Sequence, residues 1–149
     1  MHASIMTSNR VHIDHAIAKV LASGKRRVGM IGLSFKTGTD DLRESPIVEV
    51  VERLIGKGYD VSIYDANVNL AKLVGANKSY ILEQIPHISD LMVSSIHEVL
   101  DHARTLVIGN NDPAFRDVAE SPRPGQRVID LVRVVDRRSD GDGYDGICW

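Results

Sequence analysis

Val28-Gly29-Met30-Ile31-Gly32-Leu33-Ser34-Phe35-Lys36-Thr37-Gly38-Thr39-Asp40-Asp41-Leu42-Arg43-Glu44-Ser45-Pro46 is the stretch from which the fold is read. Its first six residues form an apolar run of the length of a buried strand. Its last two are a helix cap followed by a proline suited to the first turn. Between them lies a glycine-bearing loop with one lysine, one arginine and a pair of aspartates. A loop that leaves the carboxyl end of a strand and opens into a helix is where open α/β sheets bind phosphorylated ligands. The stretch therefore points to an α/β domain that handles a nucleotide or a nucleotide-sugar.

Working outward, Ile47, Val50, Val51, Leu54 and Ile55 form the apolar stripe of the helix that starts at Pro46, and Gly56 and Gly58 close it. Residues 60–65 (Asp-Val-Ser-Ile-Tyr-Asp) read as the second strand. Upstream, residues 8–23 predict a helix with Ser8 as N-cap, a stripe of Ile13, Ala16, Ile17, Val20 and Leu21, and Gly24 as its stop. Lys25-Arg26-Arg27 reads as a solvated link. Downstream, residues 68–74 and 79–85 read as short helices, Met92-Val93 as a short strand and 96–103 as a helix. Residues 105–109 are a buried strand, Asp112 with Pro113 opens a helix, and 127–132 form the last clear strand. Residues 136–145 are charged and glycine-rich, which predicts a loop or a mobile segment. This alternation predicts an α/β fold: a Rossmann-like open, mainly parallel sheet with helices on both faces, preceded by an N-terminal helix.

A chain of 149 residues is long enough for one domain with a core. Its net charge of −2 offers no basic field for nucleic acid. The single cysteine, Cys148, fits a reducing compartment. No apolar run has transmembrane length, and the start has no signal-peptide layout, so a cytoplasmic location with no membrane association is expected.

The loop glycines stand at 29, 32 and 38, which is not the Gly-x-Gly-x-x-Gly spacing. Asp65 lies further from Gly32 than the roughly twenty residues of a dinucleotide fingerprint. An ordinary NAD-clasping reading is weakened by both. Lys36 and Arg43 are the candidate anion ligands, one a point charge and the other a planar fork. The alternative is that both are surface charges paired with Asp40, Asp41 or Glu44. Asp40 and Asp41 read as shaping the loop or holding Arg43 rather than as a catalytic pair. Phe35 either stacks on a ligand ring or packs under the loop. Gly109-Asn110-Asn111-Asp112 follows a buried strand; its polar residues are first turn and cap formers, and cleft-lining is a secondary reading. The histidines form no metal-ligand pattern, and Cys148 has no base beside it. No catalytic residue is assigned; the residues support a nucleotide-contacting module.

Residues 32–46 resemble the signature that opens the C-terminal domain of the UDP-glucose/GDP-mannose dehydrogenase family. The likeness continues through Leu54-Ile55-Gly56-Lys57-Gly58-Tyr59, Gly75-Ala76-Asn77-Lys78-Ser79-Tyr80-Ile81, Ile85-Pro86-His87, Gly109-Asn110, Ile129-Asp130-Leu131-Val132 and Gly146-Ile147-Cys148-Trp149. It is most like the GDP-mannose 6-dehydrogenase branch. The resemblance implies that residues 1–24 correspond to the end of the family's interdomain helix and 25–149 to its nucleotide-sugar-binding domain. It implies that Lys36 contacts the nucleotide-sugar with Phe35 beside it, and that Arg43 reaches NAD across the interdomain cleft. It also implies a homodimer. The family's catalytic cysteine, partner lysine and NAD-binding domain belong to regions with no counterpart here, and Cys148 does not match that cysteine. Oxidation by this chain alone is therefore not expected. Guanine or uracil, and the identity of the sugar, stay open. So does a different use of the fold, as a free-standing module for self-association or regulation.

Overall fold

Strands covered on both faces are apolar almost throughout, and such runs pair side by side here. The computed structural model describes residues 2–33, 46–66, 86–120, 122–132 and 144–146. Its strands are β1 (Arg27–Ile31), β2 (Asp60–Tyr64), β3 (Thr105–Ile108), β4 (Arg127–Asp130) and β5 (Tyr144–Gly146). They form one five-stranded sheet in the order β2-β1-β3-β4-β5. Every pairing is parallel. The expected α/β sheet is thus present. Sequential strands run outward from β1 in opposite directions, so the order reverses between β1 and β3.

The two-residue period of a strand sends neighbours to opposite faces. Val28, Met30, Val107 and Ile129 pack on one face with α1 (His2–Ser23) and α2 (Pro46–Gly56). Ile31, Leu106, Ile108 and Val128 pack on the other. That face is covered by α4 (Ile96–His102) and α5 (Arg116–Glu120), which contribute Val99 and Ala119. A short α3 (Pro86–Ser89) adds Ile88 to the first layer.

The α2 stripe is borne out: Ile47, Val50, Val51 and Leu54 are fully buried, and Ile55 is half-buried against the same core. For α1 the boundary differs. The helix starts at His2, so Ser8 lies inside it rather than at its cap. Residues 2–7 contain neither glycine nor proline, and nothing in their backbone chemistry interrupts a helix. Gly24 ends it as expected, with a left-handed φ of 69° and its N–H on the Leu21 carbonyl at 3.1 Å. Ile13, Ala16, Ile17 and Val20 are buried. Thr105 donates to the Ser23 hydroxyl at 3.0 Å, which ties the end of α1 to the start of β3. The basic link is mainly exposed but docked: Lys25 Nζ donates to the Gly125 carbonyl at 2.6 Å, and the Arg26 guanidinium lies 5.2 Å from the centre of the Tyr59 ring.

Two further expectations change. Met92 forms a single parallel bridge with Ile63 rather than a strand. Tyr144 and Asp145, read as part of a charged loop, belong to β5, in register with Val128 and Ile129 of β4. The reason is one aromatic side chain. Tyr144 is enclosed, and its hydroxyl donates to the buried Asp130 carboxylate at 2.6 Å. The α4 helix carries a capping box in which Ser95 and Glu98 exchange bonds with each other's backbone N–H. Asp112 caps a single 3₁₀ turn, Pro113–Phe115, that leads into α5. The short helices expected at 68–74 and 79–85 lie outside the described residues.

Candidate functional site at the carboxyl rim of the sheet

In an open parallel sheet the ligand crevice lies at the carboxyl ends of the strands where the order reverses. Here that is the rim between β1 and β3. The ladder runs one residue past each strand. Gly32 N–H donates to the Tyr64 carbonyl at 2.8 Å, and Gly109 N–H to the Ile31 carbonyl at 2.8 Å. Both rim residues are glycines for a steric reason. Gly32 has φ +89°, and a Cβ on it would stand 2.7 Å from the Asn110 side chain. A Cβ on Gly109 would overlap the Gly32 carbonyl oxygen and press on Ile47 at 3.1 Å. Ile47 belongs to the first turn of α2, so the N-terminus of that helix stands against the rim. The partial positive charge of a helix N-terminus suits an anion.

Beside the glycines is a buried polar pair. Asp65, one residue past β2, is 2% exposed, as is Asn110, two past β3. Asp65 Oδ2 accepts the Leu33 N–H at 2.8 Å and, at a longer 3.4 Å, the Asn110 Nδ2. Asn110 Oδ1 in turn accepts the Asp112 N–H at 3.2 Å. One carboxylate thus links the backbone leaving β1 to the backbone leaving β3. Asp130, at the end of β4, repeats the device: Oδ1 accepts the Val132 N–H at 3.1 Å and Oδ2 the Tyr144 hydroxyl.

Phe35, Lys36 and Arg43, with Asp40 and Asp41, lie outside the described residues; their loop leaves from Leu33 and returns at Pro46. Asp112 caps as expected. Asn110 is a turn former as expected, with its Oδ1 on the N–H two residues on, and it is also a buried bridge to Asp65. In the sequence Asp65 reads only as an acid too far from Gly32 for a fingerprint; its bond to Leu33 is a finding of the fold. A usable signal existed: an acid directly after an apolar strand must find donors if the rim is closed over it. Asp65, just past the end of β2, is turned to Leu33 and Asn110. Among the described histidines, His87 lies 3.8 Å from Glu52, and His102 lies 3.5 Å from the carboxylate of Asp60. Among the described residues no group of three or more His, Cys, Asp or Glu could hold a metal ion. No helix among them is long and apolar enough to cross a membrane.

A doubly wound parallel sheet with a glycine-built switch point defines a ligand-binding α/β domain. Comparison with known proteins gives its kind. Residues 29–137 match the family model described as "UDP-glucose/GDP-mannose dehydrogenase family, UDP binding domain". The chain belongs to that family and carries its C-terminal, UDP binding domain. It is 48% identical to a GDP-mannose 6-dehydrogenase of Pseudomonas putida over 147 residues, which is 98% of this chain and 34% of that protein. It is 27% identical to a UDP-glucose 6-dehydrogenase of Rickettsia typhi over 144 residues, 91% of this chain and 30% of that one. A crystal structure of a ternary complex of GDP-mannose dehydrogenase from Pseudomonas aeruginosa superposes with a TM-score of 0.93 at 45% identity, covering 99% of this chain and 34% of that chain. A UDP-glucose dehydrogenase from Pyrobaculum islandicum does so with a TM-score of 0.70 at 25% identity, over 99% of this chain and 32% of that one. The chain thus spans about a third of the length of these relatives.

Proposed function

We propose that the chain binds a nucleotide-sugar of the GDP-mannose type at the carboxyl rim, as the substrate-holding part of an NAD-dependent nucleotide-sugar 6-dehydrogenase. The observation that carries this is the switch point itself: Gly32 and Gly109 in close approach, with the first turn of α2 against them. Lys36 is three residues past the buried Leu33, so its Cα stays within roughly 11 Å of that anchor. Lys36 neutralises the diphosphate, Phe35 lies beside the same ligand, and Arg43 reaches NAD in the complete enzyme. NAD belongs to that enzyme and is held elsewhere in it. A cytoplasmic setting and a role in polysaccharide biosynthesis fit this reading.

The family model names UDP and the relatives at 45–48% identity name GDP-mannose, so the base is decided by experiment. Calorimetry with GDP-mannose, GDP, UDP-glucose and UDP is expected to give binding, tightest for the guanine compounds. Lys36→Ala is expected to weaken it at least about tenfold, the value of one charge-assisted contact. No heat with any of the four overturns the reading.

A second reading, self-association as a homodimer, has one observation behind it. Val11 and Leu21 are the exposed large hydrophobics among the described residues, and both lie on α1. Sedimentation of the wild-type chain beside Leu21→Glu tests it: a dimer that the glutamate dissociates supports the reading, and a wild-type monomer excludes it.

A further inference from the structure

We propose that the amino-terminal edge of the sheet, opposite the nucleotide rim, is a cationic docking strip for a polymer of sugar acids. The strip rests on geometry. Lys25-Arg26-Arg27, in the sequence a solvated link, leads into β1 at this edge, and Arg104 leads into β3 beside it. The Arg104 N–H donates to the Arg27 carbonyl at 3.0 Å, one residue before Val28 and Thr105 pair in register. Arg27 and Arg104 therefore stand side by side on adjacent strands, about 4.8 Å apart, and share a face of the sheet. Like charges so placed repel. Both are exposed, and neither guanidinium has a partner among the described residues. Their neighbours are fixed by neutral groups, which leave the charge uncancelled. The Gly125 carbonyl holds Lys25 Nζ at 2.6 Å, and the Lys57 carbonyl holds Arg26 at 3.2 Å beside the Tyr59 ring. Lys57, just past α2, is a further exposed cation. Asp60 and Asp101 bring carboxylates to the same edge, but Asp60 lies 3.5 Å from His102 Nε2 and Asp101 pairs with Arg123. The class of polymer rests on the nucleotide-sugar reading. A 6-dehydrogenase oxidises the C6 alcohol of a sugar to a carboxylate with NAD, so a chain built from its product carries one carboxylate per ring. Carboxylates one ring apart match guanidiniums one strand spacing apart, and each arginine fork can donate to both oxygens of its carboxylate. The edge lies roughly 16 Å from Gly32 along β1, so polymer and nucleotide-sugar do not compete.

The test follows labelled polymannuronate fragments by fluorescence anisotropy on the whole 149-residue chain. Neutral mannan, poly-glutamate and a single-stranded oligonucleotide are run beside them. Polymannuronate is expected to bind, mannan not to bind, and the other two polyanions to bind more weakly. The double variant Arg27→Ala/Arg104→Ala is expected to lose about tenfold, since one exposed pair is worth up to about fivefold. Arg116→Ala, an equal loss of charge at the start of α5, is expected to change nothing. Binding is expected to vanish at about 1 M salt, where screening acts within about 3 Å. GDP-mannose affinity of the double variant, read by calorimetry, is expected to stay within about twofold of wild type, the two sites being well separated. Four results overturn the proposal: no binding of polymannuronate, unchanged binding in the double variant, binding that survives the salt, or equal binding of poly-glutamate or the oligonucleotide. A chain that binds GDP-mannose and not the polymer keeps the nucleotide reading and loses this one. A chain that binds the polymer and no GDP-mannose loses the nucleotide reading, and the double variant then decides the strip alone. If the double variant does not fold, Arg27→Gln and Arg104→Gln decide singly, each with an expected loss of about threefold.

Discussion

Tyr144 and Asp130 meet through a 2.6 Å hydrogen bond in which both side chains are enclosed, one on the edge strand β5 and the other at the end of β4. The pair ties the fifth strand to the fourth. Tyr144→Phe keeps the ring and removes the donor, leaving a buried carboxylate oxygen with one partner fewer. Such a loss costs about 1–3 kcal/mol. Chemical denaturation is expected to show that decrease. Unaltered stability would mean that the ring alone holds β5.

The glycines differ sharply in what they tolerate. Gly109→Ala drives a methyl into the Gly32 carbonyl oxygen, a backbone atom that cannot swing aside. Loss of about 1–3 kcal/mol or more is expected, of the size seen when a packed core is overfilled. Gly56, the last residue of α2, meets nothing within 4 Å. Gly56→Ala is expected to raise stability by about 0.5–1 kcal/mol through reduced freedom of the unfolded chain. Thermal melts of the two variants are expected to shift in opposite directions.

Helix α1 is held by its apolar stripe far more than by charge. Arg53 reaches Asp14 at 2.6 Å, yet Asp14 is more than half exposed, and such pairs are worth about 0–1 kcal/mol. Asp14→Asn is expected to change stability by no more than that. Ile17 is buried, and Ile17→Ala is expected to cost about 2–5 kcal/mol. A larger effect from Asp14 than from Ile17 would reverse this ranking.

The Ser62 hydroxyl is buried in β2 with no hydrogen-bond partner among the described residues. A hydroxyl enclosed in that way costs about 1–3 kcal/mol. Ser62→Ala, which keeps the strand and removes the cost, is expected to stabilise by about 1 kcal/mol, seen as a Tm rise of roughly 3 °C. A fall in Tm would show that the hydroxyl is satisfied after all.

Most of the fold could be read along the chain. The runs at 28–33 and 105–109, the α2 stripe behind Pro46, and the stop at Gly24 are local signals, written within a few residues and independent of what lies elsewhere. A boundary such as the start of α1 was not legible, because a serine in a helix-permissive run can cap or continue.

What emerged only on folding shares one physical property: it depends on pairs far apart in the chain. Asp65 finds Leu33 across 32 residues and Asn110 across 45. The value of each bond exists only once the rim has excluded water, since a carboxylate in solvent has no need of either partner. The strand order that puts β3 beside β1, and the inclusion of Tyr144 in the sheet, likewise come from burial on both faces. Periodicity announces that a residue will be enclosed; it does not say by what.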